Sequence, residues 1–296
     1  MAKLILQGAL TAIVTPFTKS GAVDFPAFRK LLRRQLDAGI NGIVVCGSTG
    51  EAVTLNDKEY AEVIRFAVKE IAGRVPVIAG AGSNNTARAI ELSKIAQAQG
   101  VVGLLHVSPF YNKPTPNGLV AHYKAITKAV NLPVILYNVP SRTGSNVLPA
   151  TVVRIAREVP GVVAIKEAAG KIDQFRDIIK DAPKGFVVLS GDDAITLEAM
   201  RLGARGCISV VANEVPKEFT ELCQSALAGN WKKAQELHLR LLPLMDINFI
   251  ESNPIPVKTA LSMMGLIQES FRLPLVPLEA RNRPKIKKSL RKLGLI

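Results

Sequence analysis

Val162-Val163-Ala164-Ile165-Lys166-Glu167-Ala168 is an apolar run that ends abruptly in a lysine, just ahead of a turn containing Gly170. The run is apolar throughout instead of alternating, which is the pattern of a strand buried on both faces, as in a parallel sheet covered by helices. Lysine is an unusual choice at the end of such a strand. In water an amine with a pKa of about 10.4 is neutral in only about one molecule in 2500 at pH 7, so a nucleophilic lysine needs roughly 4 to 5 kcal/mol of environmental bias. Desolvation at a strand end supplies part of that bias, and the free amine can then attack a carbonyl to form a Schiff base. The competing reading is a strand-end lysine that snorkels to solvent and has no chemical role.

Runs of the same kind recur on both sides of it. Ala9–Thr15, Gly42–Cys46, Val77–Ala79, Gly103–Val107, Val134–Tyr137, Val162–Lys166, Val187–Ser190 and Gly206–Val210 are short and apolar, and helical patterns separate them. The helices carry their own punctuation: Asp24 before Phe25-Pro26 with Gly39 beyond the last turn, Asn56 before Asp57-Lys58-Glu59, and Gly100 after Thr86–Gln99. This βα alternation predicts an α/β fold, a (β/α)8 TIM barrel. After the last strand the rhythm changes to helix upon helix over Lys217–Ala228, Trp231–Phe249, Val257–Met264 and Lys285–Leu293. The expected division is a barrel at 1–229 carrying the active site and a C-terminal helical extension at 230–296.

Composition removes several function classes. A chain of 296 residues with 48% hydrophobic content can bury a large core. No apolar run is long enough to span a membrane, and the stretch beginning Met1-Ala2-Lys3 reads as a first strand instead of a signal peptide, which places the protein in the cytoplasm. Cys46, Cys207 and Cys223 suit reduced core residues, and neither they nor His106, His122 and His238 have metal-ligand spacing. The net charge of +14 invites a polyanion-binding reading. However, Arg281, Arg283, Lys285, Lys287, Lys288, Arg291 and Lys292 alternate with Ile286, Leu290 and Leu293, the pattern of a terminal amphipathic helix with a solvated basic face. No nucleic-acid partner is expected.

In a barrel, chemistry belongs at the C-terminal ends of the strands, and the polar residues collect there. They include Gly47-Ser48-Thr49-Gly50-Glu51, Ser108-Pro109-Phe110-Tyr111-Asn112, Tyr137-Asn138, Lys166 and Ser190-Gly191-Asp192-Asp193. Gly80-Ala81-Gly82 fails as a dinucleotide fingerprint because Asn85 stands at its sixth position, and Gly47–Gly50 lacks the spacing and the Lys-Ser/Thr pair of a phosphate loop. Its glycines and hydroxyls still suit a small carboxylate.

The stretch Tyr137-Asn138-Val139-Pro140-Ser141-Arg142-Thr143-Gly144 resembles the dihydrodipicolinate synthase family. Val101-Val102-Gly103, Ile165–Ala168, Leu189–Asp193 and Asn253-Pro254-Ile255-Pro256-Val257-Lys258 agree with the family's pattern in the same order, so the resemblance covers nearly the whole chain. The Gly-Ser-Thr-Gly-Glu loop and the strand lysine are shared with the wider group of pyruvate-dependent lyases, whereas Arg142 in its Pro-Ser-Arg-Thr-Gly context is more specific. The resemblance implies condensation of pyruvate with aspartate semialdehyde through an imine on Lys166, with no metal or organic cofactor. It assigns acid/base work to Tyr137 and a proton relay to Ser48 and to Tyr111, the latter reaching in from an adjacent subunit of a tetramer built from tight dimers. Thr49 and its loop amides would hold the pyruvate carboxylate, Gly191 and the carbonyl of Ile208 the remaining wall, and Arg142 the carboxylate of the second substrate.

One departure is Ser48, where most synthases have threonine; serine keeps the hydroxyl but loses the methyl that restricts its rotamer. It keeps a pyruvate aldolase cleaving a sugar acid as the alternative reading, while an inactive, polyanion-binding barrel has no chemical need for these residues together. Lysine-sensitive members of the family place an acid and a histidine where this chain has Arg88 and Tyr60, with Asn84 alone retained, so lysine is not expected to inhibit.

Overall fold

The computed structural model describes residues 4–296; Met1-Ala2-Lys3, where the stretch read against a signal peptide begins, lies outside the described residues. The element order is β1 Gly8–Ala12, α1 Phe25–Asp37, β2 Gly42–Val45, α2 Asp57–Ile71, β3 Val77–Gly80, α3 Thr86–Ala98, β4 Gly103–Val107, α4 Pro116–Ala129 and β5 Val134–Asn138. It continues through α5 Pro140–Thr143, α6 Pro149–Glu158, β6 Val162–Glu167, α7 Ile172–Asp181, β7 Val187–Ser190, α8 Thr196–Arg201 and β8 Gly206–Ser209. Helices α9 Pro216–Leu227, α10 Trp231–Ile247, α11 Ile255–Met263 and α12 Arg283–Lys292 complete the chain. The eight strands close in sequence order into a parallel barrel, β8 returning to β1.

The helix starts follow the expected physics. Asp24 accepts from the Ala27 amide, and Asn56 and Glu59 exchange side-chain and backbone hydrogen bonds as a full capping box. The strands divide the apolar residues between two cores. Leu10, Val44, Ile78, Leu105, Ile135, Ala164, Leu189 and Ile208 fill the barrel, while a larger cluster that includes Phe28, Tyr123, Phe175 and Phe219 packs helices against its outside. Helix α12 buries Ile286 and Leu290 and leaves its lysines outward, which is the amphipathic arrangement expected of it.

Two details depart from the sequence reading. The first strand stops at Ala12, although Ile13 and Val14 are apolar and, like Thr15, buried. The Val14 amide is taken by the Asn213 side chain at 3.1 Å, and the Thr15 hydroxyl turns to the Gly50 carbonyl at 2.7 Å, so side chains replace the ladder. The closure of the barrel is also uneven. Ser190↔Cys207 is the one registered pair between β7 and β8, whereas β8 and β1 share four. Asp193 supplements that joint, its carboxylate accepting from the Val210 and Val211 amides at 3.0 and 2.8 Å.

Among the described residues no helix is long and apolar enough to cross a membrane.

Candidate active site

Strands β5 and β6 pair with Tyr137 beside Lys166, and strand alternation sends both side chains into the barrel mouth. Lys166 is 4% exposed, and its Nζ lies 4.3 Å from the centroid of the Tyr137 ring. Gly191 lies against the lysine: a Cβ there would stand 2.8 Å from Lys166 Cε and 2.9 Å from its Cγ, so any larger residue would displace the amine.

The next residues along the same strands point outward and tie them together. The buried Glu167 carboxylate accepts from Asn138 Nδ2 at 3.0 Å, Gln174 Nε2 at 3.0 Å and the Ala169 amide at 2.7 Å. Asn138 Oδ1 accepts from the Val147 amide at 3.0 Å, and its amide also donates to Asn146. Burial raises the Glu167 pKa above the usual carboxylate range, against the hydrogen bonds that favour its charged form. Two strand ends that must present Tyr137 and Lys166 side by side are thereby clamped from behind.

A cavity of about 330 Å³ opens over these two residues, walled by Ser48, Thr49, Arg142, Gly191, Asp192 and Asn253 among others. A second cavity, about 540 Å³, adjoins it and shares Gly47, Ser48, Tyr137, Arg142 and Asn253 with it. Ser48 is exposed and Thr49 buried, and among the described residues neither of their amides donates a hydrogen bond within the fold. Thr49 Oγ1 accepts from Asn253 Nδ2 at 2.9 Å, which leaves the hydroxyl proton free to donate elsewhere. Arg142 donates from Nη2 to the Asn253 carbonyl at 2.8 Å, which leaves most of its donor fork unengaged. Asp192 carries a carboxyl raised by burial.

Six of the eight residues selected from the sequence, Lys166, Tyr137, Ser48, Thr49, Arg142 and Gly191, therefore meet at one cavity. Ile208 is fully buried in the barrel interior and is not part of that cavity's wall, which Val210 reaches instead. Tyr111 is not brought there by its own chain. It is 89% exposed, with a left-handed φ of 68°, on the loop after β4.

Sequence reasoning assigned no role to Asn253, Glu167, Glu51 or Lys258. Glu51 and Lys258 are 2% and 0% exposed, and they meet with Nζ to Oε1 at 2.5 Å. Lys258 sits in the buried stretch Ile255–Leu261, whose other members are uncharged, and a charge inside such a run is itself a sign of a buried counter-charge. Burial lowers the Lys258 pKa from its ordinary value, and Glu51 opposes that shift. Among the described residues no group of three or more His, Cys, Asp or Glu is placed to hold a metal ion.

A strand-end lysine held against a phenol, beside a loop with free amides and an arginine with free donors, suits imine chemistry on a small keto acid with a second carboxylate bound nearby. Comparison with known proteins agrees. The dihydrodipicolinate synthetase family model matches residues 5–293. The 4-hydroxy-tetrahydrodipicolinate synthase of Maridesulfovibrio salexigens is 52% identical over 293 residues, which span 99% of this chain and 100% of that protein. A dihydrodipicolinate synthase from Acinetobacter baumannii, solved in complex with pyruvate, superposes with a TM-score of 0.96 at 46% identity, covering 99% of this chain and 100% of the other. The dihydrodipicolinate synthase of Thermotoga maritima also gives 0.96, at 43% identity over 98% of this chain and 99% of the other. Sequence match, barrel topology and the residues gathered around Lys166 lead to one assignment: the chain belongs to the dihydrodipicolinate synthetase family.

Proposed function

We propose that this protein condenses pyruvate with L-aspartate 4-semialdehyde to give 4-hydroxy-tetrahydrodipicolinate, the entry step of diaminopimelate and lysine synthesis. The observation that carries the reading is the buried Lys166 amine over the Tyr137 ring at the floor of a cavity that also holds Thr49 and Arg142. The Lys166 nitrogen adds to C2 of pyruvate, and loss of water leaves an imine. Its protonated nitrogen is an electron sink, so a proton leaves the methyl carbon and an enamine forms. That carbon then bonds to the aldehyde carbon of the second substrate, whose oxygen takes up a proton. The amine of the semialdehyde finally attacks C2, closes the ring and releases Lys166 as a free amine.

The proton transfers fall to Tyr137, relayed through Ser48 and through Tyr111 of a neighbouring subunit. Support for that last role comes from the exposure of Tyr111, which leaves its ring available to a second copy. The free amides and hydroxyl at Ser48-Thr49 suit the pyruvate carboxylate, with Gly191 forming the far side and Val210, in place of Ile208, reaching the wall beside it. Arg142 suits the carboxylate of the semialdehyde, since its planar fork grips a carboxylate bidentately. In this reading the reactive groups come from 1–229, and the extension at 230–296 supplies the wall at Asn253. The working form is a tetramer built from dimers, in the cytoplasm.

The test is reduction with borohydride in the presence of pyruvate, followed by intact mass and peptide mapping. The adduct is expected on Lys166 and absent from Lys166→Ala; an adduct on another lysine, with Lys166→Ala still active, overturns the mechanism.

A further inference from the structure

We infer that the buried Lys258–Glu51 ion pair is the positioning element of the Gly47–Gly50 loop and sets how tightly that loop holds the carboxylate of the keto acid, an inference that rests on the reading of the loop given above. Glu51 follows the loop directly and adopts a left-handed φ of 51°, a conformation that costs a residue with a side chain free energy. Something must hold it there. Its Oε1 meets Lys258 Nζ at 2.5 Å, and Lys258 in turn lies 4.4 Å from the ring centroid of Phe17 and 5.0 Å from that of Phe271. The ammonium thus has one carboxylate and two ring faces around it, in a place that water does not reach.

Glu51 Oε2 also accepts from the Arg272 amide at 3.4 Å. The loop itself has two further anchors, Thr15 Oγ1 donating to the Gly50 carbonyl and Asn253 Nδ2 donating to Thr49 Oγ1. Both are hydrogen bonds between neutral groups. The pair at Glu51 is the charged one and is buried on both sides, so a small displacement of the loop would separate opposite charges in a poorly screened interior. Stability alone does not call for such a pair, because apolar residues of similar volume commonly replace a buried ion pair at no cost. A unique loop position is a different requirement. The Ser48 and Thr49 amides and the Thr49 hydroxyl must all meet one carboxylate, and misplacement by a fraction of an ångström weakens all of them together.

Neither partner touches the Lys166 cavity. Lys258 lines no part of it, and Glu51 borders only the adjoining cavity, so both act through the loop as positioning residues. The pair also joins segments 207 residues apart, giving the C-terminal extension control over a site whose reactive groups lie in the barrel.

The experiment uses the full-length enzyme with Glu51→Gln, in which an amide oxygen still accepts from Lys258, and with the double variant Glu51→Gln/Lys258→Met, in which both charges are removed. Borohydride trapping is titrated with pyruvate alone, and the half-saturating concentration is read by intact mass; KM for each substrate is then measured. Both variants are expected to need about tenfold more pyruvate for half-maximal adduct, with KM for the semialdehyde changed less than about twofold. Folded variants that load at the wild-type concentration overturn the inference, as does an equal rise in both constants, which a merely structural pair would give. Loss of folding in both variants also overturns it, since the pair is then a folding requirement. If the wild-type enzyme forms no adduct, the proposed function has failed instead.

Discussion

Lys166 Nζ lies 4.3 Å above the centroid of the Tyr137 ring, so the residue proposed as acid and base also supplies the face on which the Lys166 nitrogen rests. These two contributions are separable. Tyr137→Phe keeps the ring and its attraction for a cation but removes the proton carrier. We expect kcat to fall by about 10² to 10⁴, with trapping of pyruvate on Lys166 still complete given time. A variant within tenfold of wild type would assign the proton transfers elsewhere.

Arg142→Ala is expected to damage use of the semialdehyde while leaving pyruvate trapping intact, since the proposed function assigns the two carboxylates to different donors. Arg142 is already held by the Asn253 carbonyl, so little ordering is needed when a carboxylate binds. Removal of the charge-assisted pair should lower kcat/KM for the semialdehyde by roughly 2 to 5 kcal/mol. An unchanged specificity constant would favour a sugar-acid aldolase.

Inhibition by L-lysine is expected to be absent below about 1 mM, since each 1.4 kcal/mol of lost interaction is about tenfold in affinity. The structure changes the reason. Arg88 is not a bare cation: it pairs with Asp57 and also reaches Glu91 at 3.3 Å. Repulsion of an ammonium by Arg88 is therefore weakened, but the same pairs occupy the neighbouring carboxylates that an ammonium could otherwise meet. The Tyr60 hydroxyl is likewise committed to the Gly80 carbonyl at 2.9 Å. Initial rates at saturating pyruvate with increasing lysine check this, and half-inhibition at lower concentration would contradict it.

Two buried histidines predict the acid limb of stability. His106 bonds Ser93 at 3.2 Å and His122 bonds Thr86 at 2.9 Å, and burial lowers their pKa values from 6.5 to about 3 and about 4. Below 6.5 the unfolded chain takes up protons that the folded chain refuses, so stability is lost as pH falls toward those values and regained as pH rises. Above that range neither ring contributes to the slope. Within it each ring contributes roughly 1.4 kcal/mol per pH unit. Burial raises the pKa of Glu214, which gives the opposite slope, so the test is a difference. The denaturation midpoint of wild type should fall between about pH 6.5 and 4.5 more steeply than that of His106→Gln/His122→Gln, and equal slopes would refute it.

The barrel was legible because each strand is an apolar run bounded by a turn or a helix cap, and Lys166 stood out because it ended one of them. Gly47–Glu51 and Arg142 could be selected from local pattern for the same reason. The supporting contacts could not. Asn253 meets Thr49 across 204 residues of sequence, and no local pattern announces a partner at that distance. Tyr111 shows the complementary limit: its place on the chain was clear, but its side chain is exposed and stands outside the cavity at Lys166. Where β1 ended was missed because Asn213, distant in sequence but just past the neighbouring strand β8, supplied from its side chain the acceptor that a strand backbone was expected to provide.

The joint between β7 and β8 makes the barrel mechanically unequal around its circumference. With Ser190↔Cys207 as the one registered pair there, cohesion passes to the Arg205 amide, which donates to the Val188 carbonyl at 2.9 Å, and to the Asp193 carboxylate with the Val210 and Val211 amides that donate to it. A ring opens where its links are fewest, so local fluctuations should start at this seam and leave the clamped β5–β6 side closed. Backbone amides at Val210 and Val211 should then exchange with solvent sooner than those at Leu136 and Ile165. Lys166 lies one strand from that seam, on β6, and the four registered pairs between β6 and β7 separate it from the opening.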